Sequence, residues 1–129
     1  MKRETSEEIR DLQALCIEVR TLVELREYAE CERRIYDAMG RHPHAPEPHN
    51  LLGILLEKQD DHLLAMKHFR AAWALDPAYR PVRQNLDHYA SFYGREAPAF
   101  DDSDIKDEPT LAKVDIVYDE RGIGHVVKR

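Results

Sequence analysis

The sequence predicts an all-α protein of about five helices, arranged as antiparallel helix-turn-helix repeats. Three observations predict it. Apolar residues recur at helical spacing from residue 9 to about residue 92, glycine, proline and paired aspartates interrupt them at short intervals, and the pattern returns to itself after 34 residues. At 129 residues, 43% hydrophobic and 34% charged, the chain has room for one compact domain with a strongly charged surface.

The first helix is expected over residues 6 to 25. Thr5 or Ser6 can cap its free N–H groups, Glu8 completes a capping box three residues after Thr5, and Ile9, Leu12, Leu15, Cys16, Val19, Leu22, Val23 and Leu25 form an apolar stripe. A second helix is expected over residues 28 to 39, with Cys31, Ile35, Ala38 and Met39 inward; Gly40 ends it and Pro43 and Pro46 prevent continuation. Pro46 or Pro48 suits the first turn of a third helix, where a missing N–H is no loss. Leu51, Leu52, Ile54, Leu55 and Leu56 make that helix apolar on more than one face, so it needs neighbours on both sides. Asp60-Asp61 mark a tight turn before a fourth helix over residues 62 to 75, which stops at Asp76-Pro77. Val82, Leu86, Tyr89, Ala90 and Phe92 then define a fifth, over residues 80 to 93, ending before Gly94.

A shift of 34 residues aligns Leu22 with Leu56, Cys31 with Ala65, Ile35 with Phe69, Ala38 with Ala72 and Pro43 with Pro77. The second copy reads His49-x2-Leu52-Gly53-x2-Leu56, then Ala65-x3-Phe69, Ala72 and Pro77, and resembles the tetratricopeptide repeat family. Small Gly53, Ala65 and Ala72 would let paired helices approach closely while Leu52, Leu56 and Phe69 fill the space around them. The first copy departs from the pattern, with Glu18 and Val19 where Leu and Gly are usual. The resemblance implies a short α-solenoid: repeats at about 12–45 and 46–79, and a capping helix at 80–94, the whole helical domain spanning 6–94.

The resemblance also implies a function, the binding of an extended peptide or helix in the groove made by the first helix of each repeat. The groove positions would be Gln13, Cys16, Arg20 and Glu24, then Asn50, Ile54 and Lys58, then Gln84, His88 and Ser91. Asn50 with Arg20 and Lys58 would hold a peptide backbone or a carboxylate through amide and charged donors. Family members that clamp a C-terminal carboxylate use two Asn, two Lys and an Arg; this sequence matches a single asparagine, Asn50.

Other chemistries find little support. The formal net charge of −6 disfavours nucleic acid as a partner. No run approaches a membrane span, and no apolar segment follows Lys2-Arg3, so a cytoplasmic protein is expected. There is no phosphate-cradling glycine loop, GxSxG elbow or HExxH helix, and an enzyme is not expected. Cofactors and metals are not expected either: His42, His44 and His49 read as exposed loop histidines without a zinc-site spacing, and His62 and His68 do not share a helix face. Cys16 and Cys31 read as small apolar core residues.

Residues 95–113, containing Phe100-Asp101-Asp102-Ser103-Asp104, read as a flexible acidic linker in which Phe100 and Ile105 are apolar anchors able to dock on the helical body. Beyond it Val114 to Tyr118 alternates as a strand does, Ile123 to Val127 is a second β-prone run, and Asp119-Glu120-Arg121-Gly122 suits a turn. A hairpin over 114–129 is marginal alone, so it would pack back on the helices or pair with another chain through Ile116, Tyr118 and Ile123; a disordered tail is the other expectation. The expected function is a non-catalytic adaptor or scaffold binding a protein or peptide segment in the groove. The alternative is a self-assembling subunit that forms a homodimer through the C-terminal segment or the end of the solenoid.

Overall fold

A computed structural model describes residues 5–90 and 98–105, together with the backbone of Val114–Tyr118 and Gly124–Lys128. Helix α1 (Ser6–Glu24) opens with the anticipated capping box: Thr5 Oγ1 accepts from the Glu8 amide at 3.0 Å and Glu8 Oε1 accepts from the Thr5 amide at 3.2 Å. Leu12, Leu15, Cys16, Val19 and Val23 form its buried stripe. Ile9 and Leu25, expected on that stripe, are largely exposed.

Helix α2 spans Tyr28–Arg41. It runs through Gly40, which was expected to end it. Glycine in a helix costs only about 1 kcal/mol against alanine, and the extra turn is held by Arg41 on Asp11 and Asp37 and by His42 on Asp11 at 2.6 Å. Helix α3 is Glu47–Lys58, with Pro46 at the N-cap and Pro48 in its first turn. Helices α4 (His62–Leu75) and α5 (Arg80–Ala90) complete the set.

The 34-residue repeat is present in the backbone as well as in the side chains. Arg26 and Asp60 both adopt left-handed conformations, with φ of 60° and 64°. In the same turns Glu27 N–H donates to Leu22 O and Asp61 N–H to Leu56 O, both at 2.8 Å. The helix exits match too, where His42 bonds Ala38 and Asp76 bonds Ala72, then Ala45 bonds His42 and Tyr79 bonds Asp76. A left-handed residue costs a non-glycine side chain about 1 kcal/mol; its recurrence at equivalent places shows that the α1–α2 and α3–α4 hairpins are one unit built twice.

Consecutive helices pack on each other, and α1 also packs on α3. Helix α3 is accordingly the most buried: every residue from Asn50 to Leu55 is enclosed. Gly53 permits this, since a Cβ there would lie 2.5 Å from the Phe69 ring. Phe69, itself fully buried, stacks on Tyr89 of α5 with centroids 5.6 Å apart, so one aromatic side chain joins three helices.

Near the C-terminus strand β1 (Val114–Tyr118) pairs antiparallel with β2 (Gly124–Lys128), in register from Val114 opposite Lys128 to Tyr118 opposite Gly124. The expected turn at 119–122 lies outside the described residues, as do Ile123, the side chains of Ile116 and Tyr118, Ser91, and the end of the fifth helix at 91–94.

Gly40 and Gly53 give a matched stability test. Gly53→Ala is expected to cost about 1 to 3 kcal/mol through overpacking against Phe69. Gly40→Ala, whose Cβ meets nothing within 4 Å, is expected to stabilise by about 0.5 to 1 kcal/mol. Urea unfolding midpoints check both, and equal shifts would contradict the packing assigned to Gly53.

Candidate functional site

Three helices, α1, α3 and α5, line a groove, and residues 98–105 of the chain lie in it. Ala99 is fully buried and Phe100 is only 6% exposed. The flexible linker expected from composition is therefore docked over these eight residues. Their few apolar atoms are supplemented by hydrogen bonds that join Ala99, Asp101, Ser103 and Asp104 to helical side chains.

The deepest partners are two asparagines. Asn50 on α3 and Asn85 on α5 have no solvent exposure, and buried amides need hydrogen bonds to compensate for lost water. Asn50 Nδ2 and Asn85 Nδ2 both donate to Ala99 O, at 3.0 and 2.8 Å; Asn85 Nδ2 also donates to Asn50 Oδ1 at 2.8 Å, and Asn85 Oδ1 accepts from the Ala99 amide at 2.8 Å. Both hydrogens of Asn85 Nδ2 and both lone pairs of the Ala99 carbonyl are used. The pair grips a peptide unit through its backbone alone.

Arg20 on α1 reads the charge. Its guanidinium makes a bidentate pair with Asp104 at 3.0 and 2.7 Å, reaches Asp101 at 3.3 Å, and lies 4.9 Å from the centre of the Phe100 ring. Gln84 Nε2 donates to Asp104 O at 3.0 Å. The acidic residues also shape the segment itself: Asp101 and Asp104 cap the 3-10 turn Asp102–Asp104 reciprocally, and Asp104 Oδ2 accepts from the Phe100 amide at 2.9 Å. With the Arg20 side chain 29% exposed and that of Asp104 23%, solvent screens this cluster. The enclosed asparagine pair is the stronger determinant of position.

Of the residues expected to face a ligand, Arg20, Asn50 and Gln84 do touch the docked segment. Gln13 and Cys16 line a cavity of about 500 Å³ beside Asp101, with Ile9, Ile17, Glu47 and Tyr79. Cys16 is nevertheless buried, and its thiol is pushed up to about 12 by burial and then by the charges of Glu47 and Asp101. Cys31, also buried, is raised to about 11, chiefly by burial. Ile54 is a correction: it is fully buried in the helical core and presents nothing to a groove, because α3 is covered on both sides. Glu24 and Lys58 are exposed and His88 sits edge-on to Tyr89; none bonds to residues 98–105 among the described contacts.

Asn85, Ala99, Asp101 and Asp104 were not expected at the site. A 34-residue shift carries Asn50 to Gln84, one position short of Asn85. The available signal was a polar residue on an apolar stripe, since Asn85 follows Val82 by three and precedes Tyr89 by four.

The histidines also differ from expectation. His42 is nearly buried against Asp11, and His49 lies within α3, its ring stacked on His68 with Nδ1 atoms 3.1 Å apart. Burial lowers the pKa of both rings, with His68 adding to the effect at His49. Among the described residues no group of three or more His, Cys, Asp or Glu could hold a metal ion, and no helix is long and apolar enough to cross a membrane. No protein-family model matches the chain, and no curated protein or solved structure matches it.

Partial burial raises the Asp104 pKa, but Arg20 and the Phe100 amide outweigh it and hold the carboxyl below the ordinary aspartate range. A lowered folded pKa means that this contribution is present above the ordinary aspartate value and lost as pH falls through the lowered one. Carbon-detected titration of Asp104 is expected to show a midpoint below that of a free aspartate, rising in Arg20→Ala. A midpoint at or above the free value would contradict the Arg20 pairing.

Proposed function

We propose that this chain is a non-catalytic protein-interaction module, an adaptor or scaffold of the tetratricopeptide-repeat kind, whose groove along α1, α3 and α5 takes an extended segment of a partner protein. The family resemblance draws support from the helix hairpin built twice at 34-residue spacing, with left-handed turns at Arg26 and Asp60. The single observation that carries the function is the grip of Asn50 and Asn85 on both backbone polar groups of Ala99. Side-chain amides that read a backbone accept many sequences, and Arg20 adds a preference for carboxylates. On this reading the protein works in the cytoplasm and needs no cofactor.

A second reading is self-assembly. The β1–β2 ladder has no third strand among the described residues, and as one hairpin it would offer its edges to another copy by strand addition.

Selection of peptides from a random library on the full chain carrying Phe100→Ala with Asp104→Asn, two substitutions that loosen the docked segment, tests the first reading. The enriched peptides are expected to be acidic, and to lose about 1 to 3 kcal/mol of binding in Arg20→Ala and in Asn50→Ala, the worth of hydrogen bonds to charged or buried groups. Binding unchanged in both variants would overturn the groove assignment.

A further inference from the structure

We infer that residues 98–105 are a built-in competitor for the groove, and that the partner they exclude carries the same chemistry: a small residue, an aromatic and an aspartate in succession, with a second carboxylate three residues later. This rests on the groove being a peptide site.

The contacts themselves point to an exchangeable ligand. Among the described residues every hydrogen bond between the docked segment and the helices runs through a side chain: Asn50, Asn85, Arg20 and Gln84 supply the helical groups. Among the described residues no backbone–backbone bond joins the segment to a helix, so it can leave without breaking a helix or a ladder. Asn50 and Asn85 are enclosed with Ala99 against them, so a segment that takes its place must offer the same backbone groups to keep both amides paired.

The same contacts define what can replace it. At the Ala99 position the groove reads only backbone, and a fully buried residue there must be small. Phe100 is inserted among the apolar side chains and covered by Arg20. Two carboxylates three residues apart converge on one guanidinium, and the groove contributes no second bonded cation to them among the described residues. A free peptide of this pattern matches the docked segment contact for contact, but the tethered copy has the advantage of a high effective concentration. A partner therefore binds when the tethered segment is weakened or when it adds contacts of its own.

A fluorescent peptide with the sequence of residues 98–105, titrated into the full chain, tests this. The chain carrying Phe100→Ala with Asp104→Asn is expected to bind it at least ten times more tightly than the unmodified chain. Asp104→Asn alone, a milder change, is expected to fall between them, and Arg20→Ala in the doubly weakened chain to abolish the gain; circular dichroism confirms that the helices persist. Equal affinity for the unmodified and weakened chains would overturn the competitor while leaving the groove as a peptide site. No binding to a weakened chain whose helices are intact would overturn both. A dimer of the unmodified chain at the assay concentration, dispersed by the same two substitutions, would show that the segment is exchanged between copies and would overturn competition in cis.

Discussion

Two side-chain amides closed off from water, Asn50 and Asn85, constrain everything around the groove. Each must end on a polar group. They satisfy part of the need mutually, through Asn85 Nδ2 on Asn50 Oδ1. The remainder goes to the peptide unit of Ala99. The arrangement requires a chain segment in that place, and it requires the backbone of that segment rather than any one side chain. Arg20 then fixes direction and register by drawing Asp101 and Asp104 to one side.

The packing of α5 on the second helix hairpin is what brings the two asparagines within 2.8 Å of each other. Phe69 fills the space that Gly53 leaves and meets Tyr89 on its other side, so α3, α4 and α5 are locked at one separation. Because interiors pack with little slack, that separation is transmitted to Asn50, three residues from Gly53, and to Asn85, four from Tyr89. The ion pairs of Arg34 with Glu18 and of Arg41 with Asp11 tie α1 to α2 on the outside, and Glu30 and Asp37 of α2 pair with the same two arginines. Being exposed, they add little to stability, and with their charges already paired they offer no comparable site.

The helices were legible in the sequence because caps, punctuation and apolar periodicity agreed, as at Thr5-Glu8 and at Asp61 before α4. Helix α2 overran Gly40 because the terminating signal was weaker than the side chains that hold Arg41 and His42. Three of the four helical residues bonded to the segment were legible for a similar reason: Asn50 and Gln84 stand 34 positions apart on the repeat register, and Arg20 lies one helical turn beyond Cys16, the equivalent of Asn50. Asn85 was hidden by standing one position off that register, and Ile54 was misplaced because periodicity does not say which of two apolar faces of α3 is covered. Phe100 was legible as an apolar anchor able to dock, and it is buried on the helices, but the partners of the polar residues around it were beyond composition. Charge-rich segments usually remain solvated, and this one is ordered by partners from 14 to 84 positions away in the chain, a pairing visible only once the helices are in place.

The Ala99 amide, donating to Asn85 Oδ1 at 2.8 Å in a fully buried setting, reports the central contact directly. Hydrogen exchange resolved to this residue in the full chain is predicted to be slowed by orders of magnitude relative to an unstructured alanine, and to be restored toward that rate in Asn85→Ala. Exchange at the unstructured rate in the unmodified chain would contradict the account, because it would mean that the groove is not held by this segment.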